Sequence, residues 1–258
     1  MHLLVDIGNS TIVFAVADKE GTITETWRFK TMKGDTNSFF PYELKSSLKK
    51  FGIDPSKIEG ISVSSVVPEI NGHIVQSIKD ITGVNPHIFS LNDALRVINV
   101  DVEAPAGLGK DRLADAIGAA SCYGVPAIII DMGTATTIGV VNQDRCFIGG
   151  MIIPGAKTSL KALSNKASQL PMINLEKPAD IIGRNTQECM QSGILYGNAA
   201  MIDGIIDRIS PTLEGEIKII ATGGLARQII PLCRHQIVID DNLLFKGLLI
   251  ATQGVNNK

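Results

Sequence analysis

Hydrophobic and polar positions follow two rhythms along this chain, and each half runs through them in a similar order. Short apolar runs at Leu3 to Val5, Ile12 to Ala17 and Ile23 to Phe29 predict a three-strand antiparallel meander. Lys19-Glu20-Gly21 makes the tight connection between the last two. The period then lengthens. Phe40, Leu44, Leu48 and Phe51 fall at helical spacing, with Asn37 and Ser38 as candidate caps and Gly52 as a stop. Ile58 to Val67 reads as a strand ending at Pro68. Ile70, Ile74, Ile78 and Ile81 mark a second helix stopped by Gly83, and His87 to Leu91 reads as a strand closing the first half. The order β-β-β-α-β-α-β implies a mixed sheet with helices against it.

Residues 92 to 110, with Pro105, Gly107 and Gly109, read as a connection, and a helix is predicted from Asp111 to Tyr123. Strands follow at 127 to 131, 136 to 141 and 146 to 148, then a helix at 155 to 163 and a polar surface connection at 164 to 184. Residues 185 to 209 form the longest helical candidate. Its Gly193, Gly197 and Gly204 weaken it as an isolated helix and point to close packing against another helix. A strand at 217 to 221 runs into Thr222-Gly223-Gly224, a short strand covers 237 to 240, and residues 242 to 254 make a closing helix. The expected division is two domains, 1–110 and 111–258.

Composition narrows the class. With 258 residues, 45% of them hydrophobic, a substantial core can be buried in one large domain or two of ordinary size. A net charge of −2 and the lack of a basic stripe argue against a nucleic-acid surface. Lys45, Lys49 and Lys50 read as a solvated helix face. Cys122, Cys146, Cys189 and Cys233 form no C-x-x-C pair, so they read as reduced core residues. No signal segment and no membrane-length apolar run is expected, which points to a cytoplasmic protein without membrane contact.

The chemistry is concentrated at turns. Asp131-Met132-Gly133-Thr134-Ala135-Thr136-Thr137 follows an apolar strand and offers an acid, a flexible glycine and three hydroxyls. A sharp turn there aims N–H groups and hydroxyls into a small space, which suits phosphate. Asp6-Ile7-Gly8-Asn9-Ser10-Thr11 repeats the arrangement half a chain earlier. Either copy alone is also an ordinary hairpin turn. Gly107-Leu108-Gly109-Lys110-Asp111-Arg112 joins a flexible loop to a helix start. The helix N-terminus favours a negative charge at Asp111, a carboxylate can accept a proton from a substrate hydroxyl, and Arg112 can fork onto a carboxylate or phosphate. A helix cap and a surface arginine explain the same residues equally well. Thr222-Gly223-Gly224 and Gly149-Gly150 with Pro154-Gly155 would admit close approach of a nucleotide or serve simply as turns. Neither a Walker-type phosphate loop nor a G-x-S-x-G elbow occurs. The combination suggests phosphoryl transfer.

The motifs together resemble those of the type III pantothenate kinases, in the acetate and sugar kinase/Hsp70/actin superfamily. Residues 6–11 match the family's first phosphate motif, Gly109-Lys110-Asp111-Arg112 its G-x-D-R substrate motif and residues 131–137 its second phosphate motif. Gly149 to Gly155 and Thr222-Gly223-Gly224 are similar to its G-G-x-I-x-P-G segment and its adenosine-side turn. The resemblance implies an α/β fold of two related ribonuclease H-like (actin-like ATPase) domains. Each would have a mixed five-stranded sheet flanked by helices, with a cleft between the domains. It implies ATP-dependent phosphorylation of pantothenate to 4′-phosphopantothenate, the first step toward coenzyme A. Asp111 would be the general base. Gly109, Lys110, Asp111, Arg112 and Thr186 would hold pantothenate. Asp6, Ile7, Gly8, Asn9, Ser10, Thr11, Ile12, Val13 and Thr134 would contact ATP. Asp131 would bind a monovalent cation, potassium or ammonium, a divalent metal such as magnesium would accompany ATP, and the protein would be a homodimer. This chain carries Ser10, Val102, Ile138 and Gly139 where many members have threonine, tyrosine, a bulky residue and an acid. Two alternatives stand beside this reading: a regulatory relative of the Bvg accessory factor type, and a kinase of another small hydroxylated acceptor.

Overall fold

The computed structural model describes residues 1–32 and 39–253. The candidate caps Asn37 and Ser38 and the last residue of the predicted closing helix lie outside these. The chain divides into two compact units, 1–121 with 242–258, and 122–241. In the first unit, β1 (His2–Ile7), β2 (Thr11–Ala17) and β3 (Ile23–Lys30) form the expected meander. After α1 (Phe39–Lys50) come β4 (Gly60–Ser65), α2 (Pro68–Thr82) and β5 (His87–Ile88). The strand order is β3-β2-β1-β4-β5, antiparallel across the meander and parallel from β1 to β5. Helix α2 starts with Pro68 at its first turn and stops at Gly83, whose φ of 75° lets its N–H reach the Lys79 carbonyl.

The strand predicted at 87–91 is cut short. Ser90 and Asp93 form a capping box that starts α3 (Leu91–Ala94) instead. A two-residue strand β6 (Asn99–Val100) and then α4 (Lys110–Cys122) complete this run. One sheet face carries Leu3, Val5, Ile7, Phe14 and Val63, packed with Phe40, Leu44 and Leu48 of α1 and Ile70, Ile74 and Ile78 of α2. The opposite face, which includes Leu4 and Ser62, receives α8 (Leu243–Thr252), where Ser62 Oγ lies 2.7 Å from Thr252 Oγ1.

The unit boundary differs from the expected break between Lys110 and Asp111. Both α4 and α8 belong to the first unit. The physical reason is two glycines. A Cβ on Gly247 would fall on the Ala114 carbonyl, and one on Gly118 would fall on the Leu243 carbonyl. The helices are therefore in backbone contact, which fixes both to one body.

The second unit repeats the plan. It contains β7 (Ala127–Met132), β8 (Ala135–Val141), β9 (Cys146–Pro154), α5 (Ala156–Lys166), α6 (Thr186–Ile209), β10 (Lys218–Thr222), α7 (Ala226–Ile229) and β11 (Val238–Ile239). Its strands run β11-β10-β7-β8-β9, the order of the first sheet read from the other side. The expectation of two related halves, each with a mixed sheet flanked by helices, is met, but only the first sheet has the expected five strands; the second has six. Strand β9 runs longer than predicted and absorbs Gly149 and Gly150, which sit at φ 119° and 155° beside an irregularity at Val140/Val141. Ile128, Ile130, Met132 and Ile138 face the core with Leu195, Ala199, Ile202 and Ile206 of α6.

Gly193 and Gly197 of α6 do not pack on a helix of this unit; a Cβ at either meets open space. The thiols are all free, as expected, but none is fully buried: Cys122 and Cys189 are exposed, and Cys146 and Cys233 are half-buried, Cys233 against the core of the second unit. Among the described residues no helix is long and apolar enough to cross a membrane.

Candidate active site

The sequence-marked residues divide between the units. Asp6 to Val13 and Gly109 to Arg112 lie in the first; Asp131, Thr134 and Thr186 lie in the second. In the first unit Asp6 and Ile7 end β1, and Gly8-Asn9-Ser10 turn the chain into β2. The Gly8 N–H donates to the Thr11 carbonyl at 3.0 Å, and a Cβ at Gly8 would press on that same oxygen. Asn9, Ser10 and Thr11 are exposed, and Asp6 is half-buried. Thr31 pins the turn from the next strand's end. Its Oγ1 donates to the Gly8 carbonyl at 2.6 Å and its N–H to the Ser10 carbonyl at 3.0 Å. Nothing in the sequence pattern marked Thr31; only the β2–β3 pairing brings it there.

Strand register places one more group beside Asp6. Asp6 pairs with Val13 on β2 and Ser64 on β4, so the Asp6 and Ser64 side chains stand on the same face of neighbouring strands. Ser64 is fully buried and its Oγ has no hydrogen-bond partner among the described residues.

The same construction appears around Asp131 in the second unit. Asp131 pairs with Thr137 on β8 and Thr222 on β10, a row of three oxygen-bearing side chains on one sheet face. Gly223, at φ 89°, closes over it, and a Cβ there would strike the Asp131 carboxylate and the Met132 backbone. The expected convergence of three hydroxyls at this turn is corrected by the pleat. Thr136 pairs with Met132 and turns to the core face, fully buried, while Thr137 takes the Asp131 face and Thr134 is exposed. The Thr134 carbonyl accepts from the Gly155 N–H at 3.1 Å and from Thr158 Oγ1 at 2.7 Å, which ties the turn to the start of α5. Gly139 is matched by its surroundings, because a Cβ there would sit 3.0 Å from the fully buried Phe147 ring. An acid at 139 would require that ring to move.

At the Gly109 loop, α4 begins at Lys110, and the Leu113 N–H reaches the Gly109 carbonyl at 3.2 Å. The half-buried Asp111 turns Oδ1 back to accept the Arg112 N–H at 2.8 Å. That carboxylate occupies the space a Cβ on Gly109 would take. Burial draws the Arg112 guanidinium below its ordinary pKa, and the neighbouring Asp111 pulls it the other way. In the second unit Thr186 is exposed at the first position of α6, behind the cap Asn185, whose side chain accepts the Glu188 N–H at 2.9 Å. Glu188 in turn accepts the Arg184 N–H at 2.8 Å.

The arrangement offers two glycine-containing turns at strand ends, a carboxylate on a helix start and a half-buried cation beside it. Comparison with known proteins gives these features a family. The structure of an activator of 2-hydroxyisocaproyl-CoA dehydratase from Clostridium difficile, solved with ADPNP, superposes with a TM-score of 0.53 at 13% identity, covering 97% of this chain and 92% of the other. A Campylobacter jejuni protein assigned to the Baf family of transcriptional activators gives a TM-score of 0.60 at 21% identity, over 99% of this chain and 100% of its own. At such identities both likenesses speak to the fold alone, which is the actin/Hsp70-ATPase type. A type III pantothenate kinase from Halalkalibacterium halodurans is 37% identical over 249 residues, 96% of this chain and 97% of the relative. The family model for type III pantothenate kinase matches residues 2–208. The chain therefore belongs to the type III pantothenate kinase family, the enzymes that phosphorylate pantothenate with ATP for coenzyme A biosynthesis.

Proposed function

We propose that Asp111 is the general base of this pantothenate kinase, accepting the proton of the primary hydroxyl as its oxygen attacks the γ-phosphorus of ATP. The bond from that phosphorus to the bridging oxygen breaks, and ADP leaves. The observation that carries this reading is the Gly109–Asp111 pair, in which the space left by a missing side chain is filled by the carboxylate. A carboxylate held this way is pre-oriented for proton transfer. Arg112 is suited to the pantothenate carboxylate, with Gly109, Lys110 and Thr186 as further contacts. Residues 6–13 and Thr134 are assigned to ATP. ADP release measured with and without pantothenate, in potassium buffer with magnesium, tests the reading. Release that ignores pantothenate, from folded protein, would point to another acceptor.

Gly109→Ala supplies a direct check of the geometry. The added methyl displaces the Asp111 carboxylate, and a misplacement of about 1 Å can lower turnover roughly 10²-fold. A fall in kcat with an unchanged KM for ATP is the expected result; wild-type kcat would remove the orienting role.

The residues suit a divalent cation with the nucleotide. Among the described residues no cluster of three His, Cys, Asp or Glu forms a protein-only cage. A single carboxylate at Asp6 beside a turn exposing Asn9 to Thr11 is the kind of site that shares a cation with substrate phosphates. When bound, the cation neutralises charge on the β and γ oxygens. Asp131 is assigned to potassium or ammonium, supported by the Thr137–Asp131–Thr222 row of oxygen donors, the ligand type that alkali cations prefer. Activity is expected to be low in sodium-only buffer and restored by potassium or ammonium, and Asp131→Asn to weaken that response about tenfold. Equal rates in all three salts would remove the cation from the mechanism. A homodimer is assigned from family membership, and the open Gly193 and Gly197 face of α6 supports it; light scattering on the eluting peak decides it.

A further inference from the structure

We propose that Ser64 is a positioning residue of the nucleotide site, its hydroxyl completed by a water ligand of the divalent cation that accompanies ATP. The inference rests on the reading of the Asp6 turn as an ATP site. It starts from an anomaly in one strand. Ser62 and Ser64 point to the same face of β4, both fully buried. Ser62 is satisfied by Thr252 Oγ1 of α8 at 2.7 Å. Ser64 Oγ has no partner among the described residues. Buried hydroxyls are almost always hydrogen-bonded, so one that is not calls for a partner outside the polypeptide.

Its neighbour identifies that partner. Asp6 stands beside Ser64 across the parallel β1–β4 pair, at the spacing of adjacent strands, roughly 4.8 Å. Asp6 is the next-to-last residue of β1, just before the Gly8–Ser10 turn, so the pair sits near where the sheet gives way to exposed backbone. A magnesium-sized cation dehydrates reluctantly and keeps several waters, reaching protein through one or two carboxylates. Waters in that shell need acceptors, and a serine hydroxyl can accept from such a water while donating to a carboxylate. Ser64 supplies that function one strand away from Asp6. Ser65, the next residue, is committed elsewhere: its Oγ donates to Asn71 Oδ1 and accepts the Val67 N–H. Its side chain points to the opposite face and cannot substitute.

The test separates cation binding from nucleotide binding and from stability. Manganese is titrated into the full chain saturated with a non-hydrolysable ATP analogue, and free Mn²⁺ is read by electron paramagnetic resonance. Wild type is compared with Ser64→Ala, Ser62→Ala and Asp6→Asn. Loss of a group that orients a metal ligand typically weakens metal affinity about 10–100-fold. Ser64→Ala is expected to raise the Mn²⁺ dissociation constant by at least about tenfold, with metal-free analogue affinity unchanged and the melting temperature equal or higher. Ser62→Ala is expected to lower the melting temperature and leave Mn²⁺ affinity alone. If Ser64→Ala binds Mn²⁺ as wild type does while Asp6→Asn does not, the role of Ser64 is overturned and the Asp6 reading stands. If both bind normally, the assignment of the turn falls and the proposal with it.

Discussion

Replacing Asp111 by asparagine is expected to lower kcat by about 10²–10⁴-fold, the usual contribution of a general base. The substitution is a narrow one. Asparagine keeps an Oδ1 that can accept the Arg112 N–H, so the bond at 2.8 Å and the start of α4 survive. What disappears is the negative charge and with it the proton acceptor. The KM values for ATP and pantothenate should move far less than kcat, because the lost interaction belongs to the transition state. The measurement is steady-state ADP release with the melting temperature as a control on folding. A folded variant turning over within about twofold of wild type would transfer the base to another group or to solvent.

Gly247→Ala should destabilise the protein by about 3 kcal/mol or more, the upper end of overpacking penalties. The sign is the informative part. Helix propensity alone favours alanine over glycine by about 1 kcal/mol, which would make this substitution stabilising. Packing wins because the obstacle is backbone: the new methyl would meet the Ala114 carbonyl, and the Gly118 nitrogen lies 2.8 Å from the same point. Neither can rotate away as a side chain would. For a chain of this size the melting temperature should fall by roughly 6–12 °C. Gly72 of α2 provides the contrast, since a Cβ there meets nothing within 4 Å. Gly72→Ala should follow propensity and gain up to about 1 kcal/mol. If both alanines stabilise, the helices α4 and α8 are not in the backbone contact described. A shift of α4 would also carry Asp111, so reduced turnover should accompany the lower melting temperature in Gly247→Ala.

Most of the fold was legible in the sequence because its two rhythms are strong. The β-branched runs at 12–17 and 127–131 and the isoleucine series at 70–78 became the strands and helix they predict. The misreadings have specific causes. His87 to Leu91 carries a strand pattern, yet a local capping box outcompetes the extended chain. Gly149 and Gly150 read as a loop because glycine is common in loops, but a sheet irregularity also uses positive φ. The boundary at 110/111 was misplaced because composition registers loops and not which helix packs on which. Gly118 and Gly247 looked unremarkable at separate places in the chain, and only their meeting gives them meaning.

Sequence marks candidate residues where a motif is contiguous, as in Gly109 to Arg112 and residues 131–137. It gives no mark to residues whose proposed role depends on register. Thr31 and Ser64 reach their neighbours through strand pairing, and pairing leaves no local mark; Thr222 is marked by its Gly-Gly turn, but not as the neighbour of Asp131. The one usable signal was the Ser64-Ser65 doublet at the end of a buried strand, where two hydroxyls are an unusual choice for a core.

The composition of the first unit from two separated stretches governs the order in which the molecule can be completed. The ribosome delivers β1 through β5 early, but α8 emerges only after the whole of 122–241. Until then the sheet face holding Leu4 and Ser62 lacks its cover, and α4 lacks the helix its Gly118 is shaped to meet. The second unit has no such debt: it is continuous, and its hairpins pair neighbouring strands. The nascent chain therefore finishes its later half first. The half that carries Asp6 and Asp111 is closed last, by a helix separated from the rest of its unit in sequence by the whole of 122–241.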